Sequence, residues 1–151
     1  MKKIKMLVKI IRIKKGAMNS LRIVLAGYFK EESHIEKEIS ELSKSLEFNN
    51  ALYESMIAMR SPDIKRLERL FTLRSLIENQ IGISEKRLKE LSEKINNVRN
   101  QITEVRKEIK LYKSLKEKRL QQIKDDIAKA EQKESDDIAG IRFLNRMQNG
   151  L

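Results

Sequence analysis

The stretch Met56-Ile57-Ala58-Met59-Arg60-Ser61-Pro62-Asp63-Ile64-Lys65-Arg66-Leu67 decides the fold. It contains the only proline in 151 residues. Ser61 offers an N-cap oxygen, Pro62 suits a first helical position because its missing N–H would be unbonded there anyway, and Asp63 suits the positive start of a helix. One helix therefore ends ahead of Ser61 and another begins at Pro62. Outward from this point, apolar residues alternate at spacings of three and four, the period that keeps one helical seam against a partner. Toward the N-terminus the seam reads Ile4, Leu7, Ile11, Lys14, Met18, Leu21, Leu25, Tyr28, Glu32, Ile35, Ile39, Leu42, Leu46, Asn49, Tyr53, Met56. Toward the C-terminus it reads Leu67, Leu70, Arg74, Ile77, Ile81, Ser84, Leu88, Leu91, Ile95, Val98, Ile102, Val105, Ile109, Tyr112.

A short turn makes two helices antiparallel neighbours, so residues whose numbers add to about 123 face each other. Met56 then meets Leu67, Leu25 meets Val98 and Ile11 meets Tyr112. Asn49 meets Arg74, a polar pair in one layer that would help fix the register. The chain is expected to be all-α, two long helices forming an antiparallel coiled-coil hairpin with the second helix longer than the first. The expected boundaries are a helix over 3–58, a turn over 59–61, a helix over 62–133 and a C-terminal extension over 134–151, in a single domain spanning 1–151. Gly16, Gly27 and Gly82 each weaken a helix by about 1 kcal/mol relative to alanine, and sustained apolar residues on both sides carry it through them.

Composition excludes several classes. With no cysteine there is neither a disulfide framework nor a thiolate zinc site, and five glycines with one proline leave little for turns. The longest apolar run, Ile23 to Phe29, is far shorter than the roughly 20 residues of a membrane span. Lys9, Arg12, Lys14 and Lys15 interrupt anything that resembles a secretory signal. A soluble chain is expected, peripheral to a membrane at most.

Charge is unevenly placed. Lys2, Lys3, Lys5, Lys9, Arg12, Lys14, Lys15, Arg22 and Lys30 give residues 1–30 +9 of the total +11, with no acidic side chain among them. Such an arm steers toward an acidic surface. Single-stranded nucleic acid would normally add stacking platforms, and only Tyr28 and Phe29 are on offer, so no nucleic acid is expected. A membrane-bound amphipathic helix would need the apolar face that the second helix claims. An acidic protein surface is favoured, and a generic coiled-coil scaffold or a nucleic-acid or membrane-surface binder stays open as the alternative.

In the expected register the first helix runs out opposite about residue 120, leaving roughly 30 residues uncovered. After Tyr112 the inner positions fall on Lys116 and Arg119, while apolar residues move to Leu115, Leu120, Ile123, Ile127 and later Ile138, Ile141, Phe143 and Leu144. That shift reads as a phase slip in the seam. An apolar stripe without cover marks an interface, which makes this open end the first candidate contact surface.

Catalytic chemistry is not expected. A nucleophile and base need a folded cleft, whereas the one histidine, His34, lies in a charged helical stretch where a solvated role is favoured. There is no phosphate-binding glycine loop. Asp125, Asp126, Glu131, Glu134, Asp136 and Asp137 spread around a helix among lysines and read as a solvated face rather than a metal site. No catalytic, metal or cofactor residues are assigned. Tyr28, Tyr53, Phe71 and Tyr112 read as seam packing, and Phe29, Phe48 and Phe143, off the seam, as partner contacts.

The opening from Lys3-Ile4-Lys5 to Arg12-Ile13-Lys14, the two-helix layout and the closing Asp136-Asp137-Ile138-Ala139 into Arg142-Phe143 resemble the YscO/FliJ proteins of type III secretion and flagellar export. Local similarity is best through Leu70 to Arg74, at Gln80-Ile81 and at Glu85-Lys86-Arg87, while Gly16 and Gly27 depart from the pattern. The resemblance implies a non-enzymatic central stalk in the pore of a hexameric secretion ATPase. It implies insertion of the paired chain ends, stimulation of ATP hydrolysis, and a link to the membrane export gate and to export chaperones. It implies a cytoplasmic protein, at the cytoplasmic face of the inner membrane when engaged, and a virulence role if the system is an injectisome. Carried onto this chain, the ATPase contact would involve Lys2, Lys3, Lys5, Lys9, Arg12, Ile123, Ile127, Arg142 and Arg146. The gate or partner contact would lie near Phe48, Tyr53 and Phe71.

Overall fold

The computed structural model describes residues 1–150. Two helices account for almost all of them: α1 (Lys2–Ile57) and α2 (Ile64–Asn149). They pack against each other as an all-α hairpin with the second helix longer, and there is no strand among the described residues. Packing divides the chain into two units, residues 19–103 and residues 1–18 with those from 104 onward.

The connection closes by ordinary hydrogen bonds. The Ala58 N–H donates to the Glu54 carbonyl at 3.2 Å and the Met59 N–H to the Met56 carbonyl at 3.2 Å, which tightens the end of α1. At the start of α2 the cap is Asp63, not Ser61: its Oδ1 accepts from the Arg66 N–H at 3.3 Å and its carbonyl from the Leu67 N–H at 3.0 Å. The helix expected from Pro62 therefore starts at Ile64. Proline supplies no N–H of its own, and a carboxylate is as good a cap as a hydroxyl while adding charge to the positive end.

The other end of α2 differs more. A helix stopping near Lys133 was expected, and instead α2 continues through the 134–151 extension to Asn149. No proline interrupts that stretch, Gln132 Nε2 donates to Asp136 Oδ1 at 3.0 Å, and only at Gly150 does the chain turn, its N–H closing on the Arg146 carbonyl at 3.0 Å.

In the unit of residues 19–103 the seam converges on Ile35, Leu91 and Ile95, with Leu25, Tyr28, Ile39 and Leu88 packed around them. Burying these branched side chains is what holds two otherwise solvated helices together. Two polar residues, Asn49 and Ser84, are buried in the same seam. Asn49 Nδ2 donates to the main-chain carbonyl of Leu70 at 2.9 Å. The expected Asn49–Arg74 pair does not form, because Arg74 is exposed and its Nε bonds Glu78 Oε1 at 3.0 Å. A long guanidinium reaches water and a carboxylate one turn away at less cost than burial, whereas the short amide fits inside.

In the other unit, Ile11 and Ile109 are buried and Tyr112 is half-buried. Lys14, expected opposite Ile109, makes an ion pair with the neighbouring Glu108, Nζ to Oε2 at 2.6 Å. The phase slip after Tyr112 is absent. Lys116, Arg119 and Ile123 are the half-buried positions, while Leu115 and Leu120 face outward. Long basic side chains can lay their methylenes along a seam, so the heptad continues without apolar residues; Arg119 Nη1 donates to Gln122 Oε1 at 3.1 Å while its Nε is buried without a partner. From residue 124 to 150 every residue is exposed.

Candidate functional site

Two surfaces present themselves, one in each unit. In the unit containing the start of α1, Lys2, Lys3, Lys5, Lys9 and Arg12 are all exposed along the first three turns. The helix here carries them on its outer sides because Ile4, Leu7 and Ile11 occupy the side turned to α2. Lys14 is the exception among the arm's cations, held by Glu108. That hydrogen bond, reinforced by the carboxylate's charge, raises the Lys14 ammonium above the usual lysine range.

Beyond Ile123, which is half-buried, α2 continues bare. Ile127, Ile138, Ile141, Phe143, Leu144 and Met147 are all exposed. Arg142 and Arg146 lie together here, on a shallow depression of this one helix with Glu131, Glu134, Ser135, Ile138, Ala139 and Phe143. They are not brought to the basic arm. Lys14 pairs with Glu108, so Lys2 lies at the level of about residue 120, and Arg142 is about 30 Å farther along α2. The nine residues expected to make one contact thus form a basic collar on α1 and a separate mixed-charge stretch of α2.

The second surface flanks the turn. Phe48 is 68% exposed and lines a groove between the helices with Leu42, Leu70, Leu73 and Ile77. Leu73 also borders a neighbouring depression with Leu76, Lys65 and Arg69. Phe71, expected to pack in the seam, is 59% exposed and does not line that groove. Two residues along a helix from Leu73, it projects to the opposite side. Tyr53 remains half-buried in the seam. Of the three residues expected to contact a gate, the structure leaves Phe48 in an apolar groove and separates it from Phe71. Leu73 and Leu76 were not singled out from sequence, although with Ile83 they form an exposed set out of phase with the seam, and that phase is the signal that finds them.

The remaining sequence candidates have local explanations. The Arg99 guanidinium lies 5.2 Å from the centre of the Phe29 ring, so that aromatic is engaged within the chain. His34 is exposed beside Glu38, Nε2 to Oε1 at 3.4 Å. Among the described residues, no group of three or more His, Cys, Asp or Glu is placed to hold a metal ion, and no helix is long and apolar enough to cross a membrane.

Fold and surfaces together define a class: a helical hairpin whose distinctive features are contact faces. The comparisons narrow it. The sequence model of the family described as flagellar FliJ protein matches residues 3–148, and the chain belongs to that family. It is accordingly a component of the flagellar and type III export apparatus, in a family that is not catalytic. Comparison with curated proteins and with solved structures gives no match.

Proposed function

We propose that the chain is the non-enzymatic central stalk of a type III export ATPase. The start of α1 and the bare end of α2 enter the pore of the hexamer, and the turn end reaches the export gate. The observation that carries this reading is the pairing, in one unit, of a basic collar at Lys2, Lys3, Lys5, Lys9 and Arg12 with an α2 segment exposed from residue 124 onward. An asymmetric helix pair offering different contacts to successive subunits shifts their conformational equilibrium by its differential affinity for each state, which is how a protein without an active site stimulates hydrolysis. The Phe48 groove, with Leu73 and Leu76 beside it, is the gate contact, and export chaperones compete for the same apolar strip. Its place of work is the cytoplasm, at the inner face of the membrane when engaged. The experiment compares hydrolysis by the partner ATPase with the full chain and with a chain cut after Lys133. Stimulation by the first and its loss with the second are expected; equal rates in both, or no stimulation at all, count against the proposal.

A further inference from the structure

In the unit holding both chain ends, a basic stripe of α1 and a pair of carboxylates on the otherwise mixed-charge end of α2, in a depression that Arg142 and Arg146 also line, are both exposed. On α1, Lys5, Lys9, Arg12 and Gly16 are exposed and follow one another at steps of four, three and four, which puts them on one stripe. On the bare part of α2, Ile127, Glu131, Glu134 and Ile138 are exposed and follow the same steps, the last three lining a single depression. Matching step patterns allow one alignment to satisfy every position. With Glu131 beside Lys9, Glu134 falls beside Arg12, Ile127 beside the aliphatic stem of Lys5, and Ile138 over Gly16. A Cβ added at Gly16 would meet nothing within 4 Å, so the helix surface there is open to a branched side chain.

The alignment requires the two stripes to run parallel. Within one chain they cannot meet, because α2 is helical without a break to Asn149 and leads away from its own α1. Between two chains they can. Each α1 runs from the open end into its hairpin and each bare α2 segment runs outward, so when two open ends face each other, each outgoing segment travels in the same direction as the other copy's α1.

We infer that the occupant of this stripe is a second copy of the chain. Two copies associate reciprocally, the Ile127–Ile138 stretch of each lying along the Lys5–Gly16 stripe of the other. Such an arrangement is isologous and makes every contact twice. Its single like-charge meeting on the stripe, Lys2 with Lys124, lies at the outer edge. This inference goes beyond the stalk reading and does not rest on it. Where both hold, the pair is a stored form, because Lys9 and Arg12 cannot face a second copy and an ATPase at once.

The test is sedimentation equilibrium of the full chain, with helicity monitored by circular dichroism. A dimer at about 50 mM salt whose association weakens about tenfold or more at about 500 mM is expected, since the paired charges are exposed and screened. The double variants K9E/R12E and E131K/E134K, each as helical as the parent, are expected to associate about tenfold or more weakly than the parent when alone. Mixed in equal amounts they should recover dimers, because every basic stripe then finds an acidic one. A parent that stays monomeric at low salt, a dimer indifferent to salt and to both variants, or a mixture that stays as weak as its components overturns the inference.

Discussion

Asn49, itself buried, donates from Nδ2 to the main-chain carbonyl of Leu70 at 2.9 Å across the two helices. Its Oδ1 is also buried and has no partner. The amide therefore gains one bond while leaving another acceptor unpaid, the balance expected of a residue kept for register rather than for stability. Replacing it tests that division. Asn49→Leu is expected to raise stability by about 1 kcal/mol, because the orphan oxygen disappears and apolar volume is added. The same variant should lose uniqueness of alignment. Cross-linking with mass-spectrometric mapping should find one set of facing residues in the parent and sets offset by a heptad in the variant. Lower stability with an unchanged cross-link pattern would contradict the assignment.

The apolar centre makes a sharper energetic claim. Ile95 is 3% exposed and packs with Ile35 and Leu91. Ile95→Ala removes buried methyl and methylene groups from the apolar cluster within residues 19–103, at a cost of about 3 kcal/mol. Ile83→Ala removes the same groups from an exposed position and should cost under about 0.5 kcal/mol beyond the helix-propensity change. Urea unfolding of the two variants side by side decides it, and similar midpoints would show that the seam has been misplaced.

What could be read in the sequence was the part that obeys a period. All sixteen seam positions on α1 are buried or half-buried, and on α2 only Arg74 is exposed. Arg74 escaped because its long side chain has an alternative in Glu78, which a seam pattern does not weigh. The phase slip expected after Tyr112 is absent for a related reason: apolarity alone does not locate the covered face where the stems of Lys116 and Arg119 cover it. Asp63 displaced Ser61 as cap because both are good caps and the choice turns on backbone geometry around Pro62. The open-end candidates mixed two kinds of information. Lys2 to Arg12 follow from charge placement, but their distance from Arg142 and Arg146 depends on α2 continuing past Lys133, which charge and periodicity leave undetermined.

Glycines offer a third test. At Gly27 and Gly82, both inside helices, an added Cβ would meet nothing within 4 Å, and no glycine among the described residues has a positive φ. Neither a special backbone angle nor close internal packing requires them. Gly27→Ala and Gly82→Ala are therefore expected to stabilise the chain by up to about 1 kcal/mol each, through helix propensity and a less flexible unfolded state. Thermal melts of the single and double variants should show additive gains. A loss of stability at either site would reveal a close contact that the structure does not contain.

The Lys14–Glu108 ion pair makes stability depend on alkaline pH in one unit more than in the other. Glu108 raises the Lys14 pKa, first by its hydrogen bond and then by its charge, so the folded chain holds that proton more tightly than the unfolded chain does. The resulting contribution is fully present below the usual lysine range, about pH 10, and is lost as pH climbs through the raised value. Both side chains are partly exposed, so the effect is modest and salt-sensitive. Lys14→Met keeps the apolar stem against the seam and removes the titration. Between about pH 9 and pH 11 the parent should lose more melting temperature than this variant does. Hydrogen exchange should place the difference around residues 104–112 and not at Ile35 or Leu91. Parallel slopes for parent and variant would mean that the pair, although formed at 2.6 Å, adds nothing to the fold.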